Sequence, residues 1–257
     1  MKSRIVLGVY LFTLCLSCAV TVFAMEKIYL TSGEWPPYYS KNLPHGGVAN
    51  QIITESFAQV GLVVEYSFLP WKRAIEAASH GSAVGSAGWL RTDAREKDFL
   101  FSDPVFESMR VLFHRRDRAF DWTRPEDLKD LRVAVTLGSA AEIGLEAVLA
   151  QGNGKLDIAK SYASGMKKLV AGRVDVYVCN VGVGLHVLRK QMPKEDAALI
   201  TYHVRPFLVE NNHLIISRHA KDGQDIIDKF NLGLRQLKDS GRYDQIFDEF
   251  FLLDEMQ

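Results

Sequence analysis

Apolar positions along this chain follow two rhythms that alternate. The stretches KIYLTSG (27–33) and VVEYSFL (63–69) are rich in β-branched and aromatic residues and read as strands. Between them Ile52, Ile53, Phe57 and Val60 recur at helical spacing and Gly61 ends the run, which predicts a helix over 48–60. WKRAIEAASHG (71–81) predicts a short helix closed by Gly81, and MRVLFHR (109–115) a further strand. The order β-α-β-α-β builds a mainly parallel sheet with helices on both faces.

A second series repeats that architecture without repeating the sequence. RPEDLKD (124–130) predicts a short helix, LRVAVTLG (131–138) a buried strand and SAAEIGLEAVLAQG (139–152) a helix. LDIAKSY (156–162), VDVYVCN (174–180) and ALITYHV (198–204) read as strands, with helices over 164–173 and 183–191 between them. NNHLIISRHA (211–220) is a last strand, followed by two amphipathic helices in which Phe230, Leu232, Leu234 and Leu237 make an apolar stripe and Gly241 a break. Two such series joined through the strands near 110–114 and 208–216 would be crossed twice by the chain. Two crossings make a hinge beside a cleft.

The first 24 residues stand apart. Lys2 and Arg4 precede a mostly apolar run over 5–23, and Val22-Phe23-Ala24 offers small residues at a signal peptidase's two recognition positions. This is the layout of a cleaved secretory signal, which predicts export to the periplasm. Of three cysteines, Cys15 and Cys18 leave with that segment, so the remaining chain holds only Cys179, set among apolar neighbours as a structural thiol. The whole chain balances 31 basic against 31 acidic residues, so no basic excess points to nucleic acid. Its length and 47% hydrophobic content suit one large domain or two lobes.

Enzyme motifs are sparse: there is no G-x-S-x-G elbow, H-E-x-x-H, P-loop or dinucleotide fingerprint. The seven histidines show no ligand spacing, so neither a metal nor a cofactor is expected. Binding residues are easier to find. Arg95 offers a rigid fork of donors suited to bidentate capture of a carboxylate. Thr92, one helical turn upstream, would lie on the same face and offer a hydroxyl to the same ligand. The plainer alternative is a surface arginine paired with Glu96 or Asp98. Trp35, Tyr38 and Tyr39 in a Pro-rich loop, Trp71 after Pro70, and Trp89 gather at expected strand ends, where ligands of open α/β sheets bind. Gly138-Ser139 turns from strand to helix, a place that favours an anion, although Ser139 also serves as an ordinary N-cap.

Taken in order, GEWPPY, the helix closed by Gly81, T-x-x-R…FSDP, DLKDLRVAVTLGS, AGRVDVYV and SGRYDQIFDEFF resemble the bacterial extracellular (periplasmic) solute-binding proteins of the type II class, which serve amino-acid ABC importers. The resemblance runs from residue 27 to 251. It implies a two-lobed periplasmic-binding-protein-like α/β fold, with two mainly parallel sheets flanked by helices and joined by a two-strand hinge. Residues 1–24 would be the signal, 25–113 and 209–257 one lobe, and 114–208 the other. The implied function is capture of a small carboxylate-bearing solute, an amino acid or something like it, by a monomer with an inner-membrane ABC permease or a membrane sensor as partner. By the same resemblance Arg95 holds the ligand carboxylate, Ser139 helps from the second lobe, Trp35 stacks on the ligand, and the Gly88 carbonyl faces its amino group. Asn180 stands where amino-acid binders usually carry an aspartate for the α-ammonium, and an amide supplies no counter-charge. Leu90 replaces a frequent hydroxyl, and the helix from Val48 lacks the acidic residue usual near its start. Aromatic or acidic small molecules, modified amino acids and short peptides are compatible with these departures. Some members of the fold act as dehydratases or lyases; Glu34 would be the acid–base candidate for that alternative.

Overall fold

The computed structural model describes residues 26–138 and 144–253, with side chains described to residue 250. Residues 1–24, expected to be a signal, and Ser139 lie outside the described residues. The first end of the molecule is built from β1 (Lys27–Ser32), α1 (Val48–Gln59), β2 (Val63–Phe68), α2 (Trp71–Ser79), β3 (Gly85–Leu90), α3 (Asp93–Glu96) and β4 (Phe99–Phe101). The long strand β5 (Phe106–Arg115) then leads into β6 (Arg132–Thr136), α4 (Leu145–Leu149), β7 (Lys155–Ala159), α5 (Tyr162–Val170), β8 (Val176–Asn180), α6 (Val181–Gln191), α7 (Lys194–Ala198) and β9 (Ile200–Tyr202). A second long strand, β10 (Leu208–Ser217), brings the chain back to α8 (Gly223–Asp239) and α9 (Arg242–Leu253).

The strands form one mixed path, β2-β1-β3-β10-β5-β8-β6-β7, with β4 on β10 and β9 on β5. The pairs β1–β2, β1–β3, β6–β7 and β6–β8 are parallel, whereas every pair made by β5 or β10 is antiparallel. The two expected sheets are therefore the two ends of a continuous hydrogen-bonded ribbon. Residues 208–212 of β10 pair with 106–110 of β5, and beyond that overlap β10 continues into the first end and β5 into the second.

Helices cover both faces because each end must bury two apolar sheet surfaces. Ile52, Ile53 and Phe57 of α1 meet Ile226, Ile227, Phe230 and Leu234 of α8 in the largest core cluster, with the Phe57 and Phe230 rings 5.2 Å apart. Gly233 lets the two helices touch, since a β-carbon there would collide with the Ser56 carbonyl. On the opposite face Ala74, Ala78, Trp89, Phe99 and Ile215 form a smaller cluster at the first end; Leu112, Leu128, Val133, Val135, Val176 and Val178 form one at the second.

Several expectations need correction. β3 and β4 are absent from the periodicity reading because GSAGWL is small and glycine-rich and FLF is only three residues long. RPEDLKD holds only a single 3-10 turn, Pro125–Leu128, locked by the Asp127 side chain. Of the helix expected over 139–152, the described part is helical only over Leu145–Leu149, because Gly144 has a positive φ of 90° and the chain turns there. Tyr162 begins α5 rather than ending β7, since Ser161 caps that helix.

Candidate functional site

The loop after β1 closes tightly on itself. The Trp35 amide donates to the Tyr39 carbonyl (2.7 Å), the Tyr39 amide to the Trp35 carbonyl (3.1 Å), and the Pro36–Pro37 peptide is cis. This closure gathers the aromatic rings. Trp35 lies 4.9 Å from Tyr38, and Tyr38 stacks at 4.5 Å on Phe106, the first residue of β5. Tyr39, wholly buried, meets Trp71 edge-on at 6.0 Å, and Trp71 meets Trp89 in the same way at 5.4 Å. Trp71 opens α2, and its indole N–H donates back to the Glu34 carbonyl (3.3 Å). The wall so formed runs from the first half of the sheet to the connecting strands.

Arg95 closes one end of the wall. Its guanidinium lies over the Trp89 ring, 4.9 Å from the centroid, and Nη1 donates to the Leu90 carbonyl (2.7 Å). It is half-buried and makes no ion pair among the described residues; Glu96, an alternative partner on sequence grounds, is bonded to Arg91 instead. Burial pushes its pKa below the usual arginine range. Thr92 does not share a helical face with it. Thr92 is extended (φ −146°, ψ 151°) and caps α3, its hydroxyl accepting the Arg95 backbone N–H at 3.4 Å. The threonine therefore positions the arginine's backbone, because an N-cap must stay outside the helix it caps.

Gly88 sits inside the wall. β10 pairs His213 with Trp89 and Leu214 with Ala87, so Gly88 is the extra residue of a bulge. Its φ of +89° suits glycine, and a β-carbon would lie 2.9 Å from both the Trp71 and Tyr39 rings. Bulged residues leave backbone groups out of the ladder, where a ligand can use them.

Two bonds tie this wall to the other end of the sheet. The Trp35 indole N–H donates to the Tyr162 hydroxyl (3.1 Å), and the Tyr38 hydroxyl donates to Asn180 Oδ1 (3.1 Å). Asn180 ends β8 and caps α6, its Oδ1 also accepting the Val183 N–H (3.2 Å). Tyr38 is 4% and Asn180 2% exposed, and burial pushes the Tyr38 phenol upward, so it stays a neutral donor. Gly182 makes room for the Tyr38 hydroxyl, which a β-carbon there would meet at 2.5 Å. Glu34 points elsewhere: it is exposed and accepts the Lys41 N–H (3.1 Å).

Trp35, Tyr38, Trp71, Gly88 and Asn180 thus come together, with Arg95 joined to them through Trp89. Tyr39, one of the loop aromatics expected there, belongs to the arrangement, and Phe106 and Tyr162 complete it without having been expected. The one sequence signal that could have placed Tyr162 on a helix is Ser161, whose hydroxyl and that of Ser164 form a reciprocal cap at the start of α5.

An α/β ribbon crossed by two long strands, with side chains from its two ends meeting over an aromatic wall, is the periplasmic-binding-protein-like fold of the type II class. Residues 28–253 match the model of the bacterial extracellular solute-binding proteins, family 3, and the chain belongs to that family. It is 25% identical over 249 residues to an arginine-binding periplasmic protein of Mannheimia haemolytica, covering 93% of this chain and 97% of that protein. It is 24% identical over 190 residues to a probable histidine-binding protein of Neisseria gonorrhoeae, covering 73% and 68%. Among solved structures, an ancestral cationic amino acid solute-binding protein superposes with a TM-score of 0.71 at 23% identity, covering 88% of this chain and 95% of that one. Solute binding is the function this family defines.

Proposed function

We propose that the chain is a periplasmic receptor, exported by cleavage after Ala24, that captures an amino acid or amino-acid-like carboxylate between two lobes. It then delivers the solute to an inner-membrane ABC permease. Residues 25–113 and 209–257 make one lobe and 114–208 the other, with β5 and β10 as the hinge.

The observation that carries this reading is Arg95. Its charge is partly withdrawn from water, and among the described residues only a carbonyl and an indole face compensate it. Desolvating a cation is unfavourable unless a counter-charge replaces the water. A ligand carboxylate, bidentate on the fork, supplies that counter-charge. Trp35 and Tyr38 make bonds across the two ends, so a ligand held on the first lobe recruits the second and shifts the open–closed population toward closed. The arginine- and histidine-binding names of the two relatives favour the amino-acid class. The receptor reading is preferred to a dehydratase or lyase because Glu34 is exposed and holds a backbone N–H rather than facing the wall. Monomeric action is part of the proposal.

Native mass spectrometry of the purified protein, followed by a thermal-shift screen of amino acids and organic acids, tests it. A saturating ligand at 100 times its Kd adds about 2.7 kcal/mol of stability. The stabilisation is expected to vanish in Arg95→Ala; stabilisation that survives the substitution would place the anchor elsewhere.

A further inference from the structure

The two polar ends of Asn180 differ in how they are satisfied. Oδ1 accepts from the Tyr38 hydroxyl and from the Val183 N–H, which occupies both of its lone pairs. The Val183 donor also fixes the orientation of the amide, because an Nδ2 turned toward it would set donor against donor. Nδ2 itself is buried and has no hydrogen-bond partner among the described residues. Such an orphan costs about 1–3 kcal/mol. Rotating the amide to relieve it would break the Val183 bond that caps α6.

Arg95 is likewise a donor with no acid among the described residues. Among the described residues, neither group is bonded to a carboxylate. Glu34 is turned to the Lys41 amide, and Glu210 on β10 is bonded to Arg110 (2.7 Å). Both unsatisfied groups along the wall therefore ask for acceptors. A free α-ammonium brings three more donors and a positive charge to a site that already holds one.

We propose that the site selects a carboxylate that carries a carbonyl and no free amine, such as an N-acylated amino acid or an α-keto acid with a flat apolar body. Arg95 holds the carboxylate, Asn180 Nδ2 donates to the carbonyl, and the rings of Trp35 and Trp71 cover the apolar part. The aromatic wall suits this body because stacking needs area rather than charge. This inference rests on the receptor reading above and narrows its ligand.

Calorimetric titration of the full exported chain against ordinary amino acids, arginine and histidine included, and against their N-acetyl and α-keto counterparts tests it. The N-acetyl or keto form is expected to bind at least about tenfold more tightly than the parent amino acid, a difference of about 1.4 kcal/mol. In Asn180→Asp, whose carboxylate still caps α6, the order should reverse. Amino acids that bind wild type as tightly as their amine-free counterparts would overturn the inference and leave the receptor standing. A preference for amine-free acids that Asn180→Asp does not change would also overturn it, because the selection would then come from another residue. A panel in which no carboxylate binds would overturn both.

Discussion

Arg110 and Arg95 both keep a guanidinium partly out of water, and their surroundings are opposite. Arg110, on β5, bonds Glu210 of β10 across the overlap of the two long strands, with side chains 14% and 13% exposed. Arg95 has a carbonyl and an indole face but no acid among the described residues. Arg132, bonded to Asp175, and Arg242, bonded to Glu55 and Glu249, follow the first pattern. The difference separates two uses of one residue type. A paired arginine fixes the relation between elements, whereas in the proposed receptor Arg95, held in place by its backbone cap at Thr92, keeps its fork available for a ligand.

The comparison is broken most severely at Arg95. Arg95→Ala should weaken carboxylate binding by about a hundredfold, or about 3 kcal/mol, while the ligand-free protein loses about 1 kcal/mol or less. Calorimetric titration and denaturant unfolding read the two quantities separately. Glu210→Gln should show the reverse emphasis. Removing the Glu210 charge from this largely buried pair should cost about 2–3 kcal/mol of ligand-free stability, visible as a lower urea midpoint. If the two substitutions gave the same profile, the distinction between paired and unpaired arginines would fail.

Smaller effects sharpen it. Trp35→Phe keeps a ring in the wall and removes the bond to Tyr162, so it should reduce affinity by about 1 kcal/mol through the closed state alone. Small-angle scattering should then show less compaction at equal ligand concentration. The smallest effect concerns the paired region. Partial burial pulls the Glu55 pKa up, but bonds from Arg242 and Gln51 outweigh it and leave the pKa below its usual value of 4.5. Its contribution is fully present above pH 4.5 and fades as the pH falls through the lower folded value. Glu55→Gln should therefore flatten the acid limb of the stability profile by less than about 1 kcal/mol, given a pair this open to solvent.

Much of this was readable in the sequence, for reasons that differ from residue to residue. Strands such as VDVYVCN and NNHLIISRHA were legible because a sheet covered on both faces demands runs of apolar, β-branched residues. β3 was not, although it lies beside both β1 and β10, because Gly85, Ser86, Ala87 and Gly88 are small where Tyr39, Trp71 and Ile215 press against them. The residue type of Arg95 suggested the role proposed for it, but the geometry of Thr92 was misread. Helical spacing says nothing about a residue that caps the helix from outside. Tyr162 lies 127 residues from Trp35, and only the folded chain puts the two in contact. The state of Asn180 is hidden for a related reason: its identity is written in the chain, but which of its two polar ends is left without a partner depends on Tyr38 and on the start of α6.

A crystal structure of the protein with a bound carboxylate ligand would test the central claim most directly. It should show both carboxylate oxygens on the Arg95 fork, with Trp35 and Tyr38 still reaching Tyr162 and Asn180. A ligand carboxylate held by other residues, with Arg95 bonded only to Leu90 as it is here, would contradict it.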